Sequence, residues 1–525
     1  MLFSMRSKRP KTYIHNLDDD ALLQVFSYYR LEEHNWDLRL KWRRLAHVCQ
    51  SWRYLVFDSS SLLDICLRLT NKSPSIHTLC HLPSLPLVID YSYDTRMERA
   101  QTRKYEDNIH LGLQRHGRVR RVALRAPSSS LRILLEPMNK PFPRLEDLSF
   151  LSTTTEELSP VLPETLRAPF LLSLALHGIG LPKGLTLLSS MISLSMLSLT
   201  HIPDTFYFSP GCLVTQLQGL YSLEVLSIGF AIPIPLPSSE GELLPAPIPP
   251  VTLPALKRLT FRGVGVYLDN LVAQINTPLL EQLSLTLFFE LAFTLVNLAE
   301  FIHRTERFRC LIARVIFNKY GALIDVDHYE QCVVGKASLY INVNCETLDW
   351  QTDSAAQVCS ALRNVLSAVE ELTLDLDADA MPSLETTLDS TIWHELLLPF
   401  TGVTKLHIGF SLTLELSRAL ESVPGELVLE LLPELRELEV QLEIDYANKV
   451  FSVFVEFRES LGRPVHLSVL PLLHAEPEVP PKFRFYYLDT FGQKYRYQAM
   501  QLISRYQSVV YFQQIIFCSD LKLRR

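Results

Sequence analysis

Leu145-Glu146-Asp147-Leu148-Ser149-Phe150 is one copy of the short phrase that decides the fold of this chain of 525 residues. The phrase consists of an aliphatic residue, two residues of other kinds, a second aliphatic residue, one further residue, and an aliphatic or aromatic residue. The alternation in its second half is typical of a β-strand with one buried face. The apolar positions of its eleven copies are Val119, Val122, Leu124; Leu145, Leu148, Phe150; Leu171, Leu174, Leu176; Leu194, Leu197, Leu199; Leu223, Leu226, Ile228; Leu256, Leu259, Phe261; Leu280, Leu283, Leu285; Ile312, Val315, Phe317; Val369, Leu372, Leu374; Val403, Leu406, Ile408; and Leu435, Leu438, Val440.

This repetition predicts a stack of similar units, because each unit can bury its apolar strand only against its neighbours. Up to Ile312 the copies begin about 23 to 33 residues apart, and helix-like stretches such as residues 105–116 and 269–275 lie between them. The copies resemble the strand segment of a leucine-rich repeat. The resemblance implies an α/β fold, an irregular leucine-rich-repeat-like solenoid with one parallel strand per repeat.

The repeats depart from the family pattern in their turns. Where asparagine is usual, three residues after the last apolar position, the chain has Ile179, Ile202, Val264 and Asp377. Residues 318–368 contain no clear copy, which predicts an insertion. The alternative is a mixed α/β domain with short leucine-rich strands; proline placed shortly before several strands, as in residues 141–145, favours the solenoid.

Two segments near the N-terminus, residues 17–26 and 45–53, follow a helical pattern instead. The first begins with an acidic turn, which suits a helix N-terminus. Their apolar residues recur three or four positions apart, at Leu22, Leu23 and Phe26 in the first and at Trp42, Leu45, Cys49, Trp52 and Val56 in the second. Such short helices are marginal alone in water, so they are expected to pack together or on a partner.

These segments, over residues 12–60, resemble the F-box, the module that docks a Skp-type adaptor in cullin-RING ubiquitin ligases. Asp18 stands where the family usually has proline, and aspartate also favours a first helical turn. The alternative is an ordinary amphipathic helical hairpin. The layout of F-box and leucine-rich tail looks like the large fungal F-box families. The adaptor-binding positions that the resemblance implies are Leu17, Leu22, Leu23, Val25, Phe26, Leu45, Val48, Cys49 and Trp52.

The sequence therefore predicts four parts. They are a disordered basic N-terminus (1–11), the F-box (12–60), the solenoid (61–475) and an atypical aromatic and basic tail (476–525). Residues 233–254 carry eight prolines and predict an extended, solvated loop.

Composition limits the classes of function and the cellular location expected for this chain. A net charge of −7 argues against a protein built around nucleic acid. The sequence shows neither a secretory leader nor a run of eighteen apolar residues, so we expect a soluble cytoplasmic or nuclear protein that engages no membrane. Nine cysteines without a C-x-x-C pair disfavour a zinc site, and we expect no metal and no cofactor.

Catalytic motifs are missing from the sequence: it has no G-x-S-x-G, P-loop, G-x-G-x-x-G or H-E-x-x-H. The expected function is the substrate-recognition subunit of an SCF-type ubiquitin ligase, a non-catalytic receptor with a Skp-type adaptor and cullin-RING assembly as partners. A non-degradative protein-binding scaffold is the first alternative. An α/β-class enzyme with an unrecognised site is the remote one.

The protein substrate, whose identity the sequence does not give, is expected on the strand face of the solenoid. Mixed charges along that face favour a protein partner held by complementary polar contacts. The candidate substrate-binding residues are Lys257, Arg258, Glu281, Glu370, Glu371, Lys405 and Arg436.

Overall fold

The computed structural model describes most of the chain between residues 17 and 470. The described residues are 17–31, 42–59, 62–63, 66–70, 85–96, 99–154, 158–182, 185, 187–233, 250–305, 308, 311–327, 338–345, 347–376, 390–421, 431–442 and 444–470. The basic N-terminus, most of the proline-rich loop and the C-terminal tail predicted from the sequence lie outside them.

Within this part of the chain, strands and helices alternate. The strands are β1 (Leu67–Leu69), β2 (Leu87–Ser92), β3 (Val119–Ala126), β4 (Asp147–Ser152), β5 (Ser173–His177), β6 (Met196–Ile202), β7 (Val225–Phe230), β8 (Val251–Thr252), β9 (Arg258–Gly263), β10 (Ile275–Asn276), β11 (Gln282–Phe288), β12 (Ile312–Asn318), β13 (Gly321–Asp327), β14 (Ser338–Asn344), β15 (Glu371–Leu376), β16 (Lys405–Ile408), β17 (Glu437–Val440) and β18 (His466–Val469). The helices are α1 (Asp19–Leu31), α2 (Trp42–Val48), α3 (Gln50–Asp58), α4 (Arg99–Gln114), α5 (Ser128–Leu135), α6 (Pro210–Leu217), α7 (Gly265–Ala273), α8 (Val296–Arg304), α9 (Leu348–Ala361), α10 (Arg363–Leu366), α11 (Ser390–Leu397), α12 (Thr413–Glu421) and α13 (Ile444–Ser460).

Sixteen of these strands form one sheet, in the order β1-β2-β3-β4-β5-β6-β7-β9-β11-β14-β13-β12-β15-β16-β17-β18. Neighbours are parallel except at β13, and a helix or turn follows each strand. The short strands β8 and β10 pair separately. The predicted α/β fold is confirmed: a long, largely parallel sheet, as in a leucine-rich-repeat-like solenoid.

Burial explains why the repeated phrase forms strands. In β4 the side chains alternate between partly and fully buried, and Leu145, Leu148 and Phe150 are at most 1% exposed. Leu148 lies in register with Leu174 of the next strand, so the apolar positions form continuous rows. Fully burying one such side chain stabilises the fold by about 1.5–3 kcal/mol. Each strand therefore depends on its neighbours for a large share of its stability.

The predicted insertion, residues 318–368, begins at the end of β12 and contains β13, β14, α9 and α10. There the chain forms β12, β13 and β14 as an antiparallel meander, and β14 rather than β12 pairs with β11. This meander is an exception to one parallel strand per repeat. Because β14 is parallel to β11 and β12 is parallel to β15, the strands on both sides of the meander still run in the same direction. The alternating Leu339, Ile341 and Val343 are fully buried and show strand character without the repeated phrase.

The N-terminal helical module, defined here as α1 to α3, has a small core of its own. The rings of Phe26 and Trp52 meet edge to face with centroids 4.8 Å apart. Cys49 caps α3 by accepting a hydrogen bond from the backbone N–H of Trp52. Trp52 and Val56 belong to the same continuous hydrophobic cluster as Leu67, so the module core extends into the first strand of the sheet.

Asp18 caps the first helix of this module. Its Oδ1 accepts a hydrogen bond from the backbone N–H of Ala21 at 2.7 Å, which satisfies one of the free donors in the first turn. The aspartate therefore supports the helix start by capping, where a proline would fix φ.

We expect Asp18→Ala to destabilise α1 by about 1 kcal/mol, the usual cost of losing a side-chain N-cap. Hydrogen exchange of the α1 amides in the full chain would measure it. Asp20→Ala is the matched control, because it removes a carboxylate from the same turn and leaves the cap in place. Equal exchange rates in the two variants would contradict a capping role for Asp18.

Candidate functional site

The sheet has one face packed on the core and one face that is only partly covered, called here the open face. Along each strand, the residues between the buried positions point to the open face, in rows fixed by the strand register. The first row includes Arg121, Asp147, Ser173, Met196, Val225, Arg258, Gln282, Ser338, Ile312, Glu371, Lys405 and Glu437. The third row includes Arg125, Leu151, His177, Thr200, Gly229, Arg262 and Thr286.

The structure separates the candidate substrate-binding residues into two groups. Arg258, Glu371 and Lys405 lie in the first row of the open face. Lys257, Glu281, Glu370 and Arg436 each precede a strand and lie at the strand entries. Across the sheet, the same residues form the two groups: Lys257, Arg258 and Glu281 at β9 and β11, and Glu370, Glu371, Lys405 and Arg436 at β15, β16 and β17. The meander between them puts the groups about 19 Å apart at about 4.8 Å per strand.

Several of these charges are already compensated. Lys257 Nζ lies 3.1 Å from Glu224 Oε2, and Lys405 Nζ lies 2.9 Å from Glu439 Oε1. The hydrogen bond to Glu439 raises the pKa of Lys405. Such partly exposed pairs contribute little to stability, about 0–1 kcal/mol. Their effect here is to neutralise charge, so Lys257 and Lys405 are poor anchors for an acidic partner.

The middle of the open face carries a poorly solvated carboxyl group. Asp325 on β13 lies in register with Arg314 on one side and Tyr340 on the other. Burial raises the pKa of Asp325 to about 6, with Arg314 opposing the shift and Asp327 adding to it. The folded state therefore holds the proton of Asp325 more tightly than the unfolded chain does.

We expect this carboxyl group to make stability fall as the pH rises from about 4 to about 6, because only the folded state must then ionise a buried group. Asp325→Asn removes that penalty, so the variant should be more stable than the wild type by about 2 kcal/mol at pH 7. Urea unfolding at pH 4.0, 5.0, 6.0 and 7.0 would measure the difference. Parallel curves for the two proteins would contradict this account.

A basic cluster lies in the third row: Arg125 (β3), His177 (β5), Arg262 (β9) and His201, which follows the third-row Thr200 on β6. The imidazole rings of His177 and His201 are 4.1 Å apart, and His177 Nδ1 lies 3.0 Å from Thr200 Oγ1. The guanidinium of Arg262 lies 5.6 Å from the centroid of the Phe288 ring. Burial lowers the pKa of His177 to about 4, and the positive charges of His201, Arg262 and Arg125 add to this effect.

Sequence reasoning missed this cluster, although a signal was present. Arg125, His177 and Arg262 each directly follow the third apolar position of their phrase. Comparing that position between copies would have revealed cations that the register brings to one row. The candidate substrate-binding residues predicted from the sequence all lie instead between the first and second apolar positions of their phrases.

The adaptor-binding residues that the F-box resemblance implies differ in how far their side chains are exposed. Leu22, Phe26 and Trp52 are buried in the module, and Leu23, Leu45 and Cys49 are partly buried against the core. Leu17, Val25 and Val48 remain 42%, 46% and 57% exposed, and Tyr28, one helical turn after Val25, is 71% exposed. The module therefore presents uncovered apolar side chains around a core that is already filled.

A pocket of about 230 Å³ opens near α6 and is lined by residues such as Leu181, Phe206, Tyr207 and Cys212. Burial raises the pKa values of Tyr207 and Cys212. Both groups stay protonated at neutral pH, so neither provides an ionised nucleophile or base there. The lining favours a structural gap over a reaction site.

Comparison with known proteins assigns no family: no family model matches the chain, and no curated protein matches it. Among the helices described, none has the length and apolar composition that crossing a bilayer requires. In the same part of the chain, no cluster of histidine, cysteine and carboxylate side chains is arranged to hold a metal ion.

Proposed function

We propose that this protein is the substrate-recognition subunit of an SCF-type (cullin-RING) ubiquitin ligase. In this proposal residues 12–60 are an F-box that docks a Skp-type adaptor, and the leucine-rich-repeat-like region binds a protein substrate. The observation that carries it is the set of exposed apolar side chains on the N-terminal module. Three of them, Leu17, Val25 and Val48, are positions that the F-box resemblance implies for adaptor binding, and all three are exposed rather than buried in the module's core.

Their arrangement supports docking rather than self-packing. Phe26 and Trp52 already fill the space between α1 and α3, and Val25 and Tyr28 on α1 remain exposed beside that core. Val48 ends α2 and is likewise uncovered. Single exposed apolar residues are common, but several on one small module favour a protein partner that covers them.

A receptor of this kind needs no catalytic group. It holds a substrate near the ubiquitin-loaded enzyme of the complex, which raises the effective concentration of substrate lysines. The open face offers a long surface for that purpose, with charged side chains of both signs, some of them in ion pairs such as Lys257–Glu224 and Lys405–Glu439. Such a surface suits a protein partner recognised by local polar contacts.

The direct test is binding of a purified Skp-type adaptor to the full chain by calorimetry, followed by reconstitution with a cullin-RING assembly. Partners purified from cells with and without an inhibitor of cullin neddylation supply the substrates. We expect stoichiometric adaptor binding, and partners whose ubiquitination depends on the chain. Failure of the folded chain to bind the adaptor would overturn the proposal. Adaptor binding without ubiquitination of any partner would favour the non-degradative scaffold.

A further inference from the structure

Most parallel strands of the sheet are entered through the same hydrogen-bonded turn. The backbone N–H of the first apolar residue of the phrase donates to the carbonyl oxygen three residues earlier, as in residues 168–171 before β5, 191–194 before β6 and 220–223 before β7. The same bond recurs before β4, β9, β11, β15, β16 and β17. The two residues between the bonded partners form the tip of each turn. The tips therefore follow one rim of the sheet at the spacing of the strands, about 4.8 Å.

From β4 to β11 these tips expose apolar side chains. The turn ridge, as we call it, consists of one exposed tip residue from each turn before β4, β5, β6, β7, β9 and β11: Pro143, Phe170, Ile192, Tyr221, Pro254 and Leu279. Its middle members Phe170, Ile192 and Tyr221 lie on neighbouring turns and are 62%, 65% and 67% exposed. The turn ridge is thus a row of apolar side chains that the core does not use.

The turn itself does not require large apolar tips. The corresponding tips before β16 and β17 are Thr401-Gly402 and Pro433-Glu434. Turns of this kind favour proline and small polar residues. Single exposed apolar residues are common, but a row of them at the same place in successive repeats favours an interaction surface.

One end of the turn ridge is cationic. Arg144 is the second tip residue of the turn before β4, Lys140 lies four residues earlier, and Arg167 forms a backbone bridge with Pro141. The guanidinium of Arg167 donates to the backbone carbonyl oxygens of Glu164 and Leu166. All three cations are exposed, and none forms an ion pair with a carboxylate of the described residues. This end is therefore suited to acidic groups of a partner.

The dimensions of the turn ridge favour a single helix as its partner. From Pro143 to Leu279 the tips span about 24 Å, the length of a helix of about 16 residues. An amphipathic helix presents apolar side chains on one side at every turn, about 5.4 Å apart, which is close to the spacing of the tips. The six tip side chains expose on the order of 500 Å², whereas each partner in a standard interface between two proteins buries about 800 Å². A second copy of the chain would thus find too small a surface for a stable dimer.

We propose that the turn ridge binds an amphipathic helix of a partner protein, with the apolar side of the helix on Phe170, Ile192 and Tyr221. Acidic side chains near one end of that helix would lie beside Lys140, Arg144 and Arg167 and set its direction. A single row of tips suits the narrow apolar side of a helix, whereas a lipid surface would engage a broader patch. The turn ridge lies outside the helical module and beside the open face, so this inference does not rest on the proposed function.

The test uses the full chain and two labelled peptides of about 16 residues. The first is a designed amphipathic helix with leucines along one side and glutamates at one end. The second has the same composition, with the leucines redistributed so that no apolar side forms. Fluorescence anisotropy should show saturable binding of the first peptide and at least tenfold weaker binding of the second.

Ile192→Asp should weaken binding of the amphipathic peptide at least tenfold, because it puts a carboxylate in the middle of the apolar row. Ile444→Asp is the matched control: Ile444, on α13, is 63% exposed and lies near the far end of the sheet. We expect less than a twofold effect there. Arg144→Glu should weaken binding at least threefold at low salt and less at high salt. Circular dichroism would confirm folding, and adaptor binding should be unchanged in all three variants.

Four results would overturn the proposal. Equal binding of the two peptides would exclude recognition of an apolar helix side, and equal binding by Ile192→Asp and Ile444→Asp would exclude the turn ridge. A full-chain dimer in sedimentation velocity that Ile192→Asp dissociates would assign the turn ridge to a second copy. Flotation with vesicles of phosphatidylcholine and phosphatidylserine that depends on Ile192, without peptide binding, would assign it to a lipid surface. Because adaptor binding is measured separately, failure here is distinguishable from failure of the proposed function.

Discussion

The full chain carrying both Val25→Asp and Val48→Asp is expected to lose binding to a Skp-type adaptor by more than about a hundredfold. Both valines are exposed on the helical module, so the substitutions leave its core unchanged. In a docked complex each new carboxylate would be buried against apolar side chains without a partner. A cost of about 3 kcal/mol for the pair, which is a conservative value for two such charges, gives this loss. Calorimetry with the purified adaptor would measure it.

A matched control is available outside the module. Val296 on α8 and Val453 on α13 are 62% and 56% exposed, close to the values for the module pair. Val296→Asp combined with Val453→Asp makes the same chemical change in the same chain and should leave adaptor binding intact. Equal losses in the two double variants would remove the module as the docking site. Phe26→Ala and Trp52→Ala are less informative, because these rings form the module core and their loss acts through folding.

The second large effect concerns Gly321, the first residue of β13. Its φ is 152°, and a Cβ at this position would overlap the backbone carbonyl of Val343 on β14. Gly321→Ala must therefore change the φ of this residue or separate the two strands. We expect a loss of about 3 kcal/mol or more in the free energy of unfolding, from the strain and the broken pairing together.

Urea unfolding and hydrogen exchange across β12 to β14 would measure this loss. Gly219→Ala is the matched control, because a Cβ there meets nothing within 4 Å and its φ is not positive. The control should be neutral or slightly stabilising. A Gly321→Ala protein as stable as the control would show that the meander tolerates a different turn.

Much of the fold could be predicted from the sequence because one physical rule repeats. Each copy of the phrase must bury its apolar residues against the next, so the residues of β4 and β5 specify strands and also their order. The rule fails at the meander. Ile312, Val315 and Phe317 fit the phrase, but β12 pairs with β13 and β15 instead of with the preceding copy, β11. The phrase specifies a strand with one buried face, and it does not specify which other strand that strand pairs with.

The candidate sites were less predictable for a related reason. A sequence pattern identifies apolar positions but not which of them their own module covers, so Phe26 and Val25 looked equivalent until the Phe26–Trp52 contact separated them. The basic cluster depends on strand register and on the bulge at His201. Both arise from pairing between strands more than twenty residues apart, which a short phrase does not encode.

The meander also sets the order in which the sheet can be completed during synthesis. Strand β11 ends at Phe288, but the strand that covers its free edge, β14, begins only at Ser338. At about 5 to 20 residues per second, this edge stays unpaired for roughly 3 to 10 s on the ribosome. An unpaired edge of seven residues is a template for association with other chains. Cells that make this protein therefore have a defined interval in which a nascent-chain chaperone would be most useful.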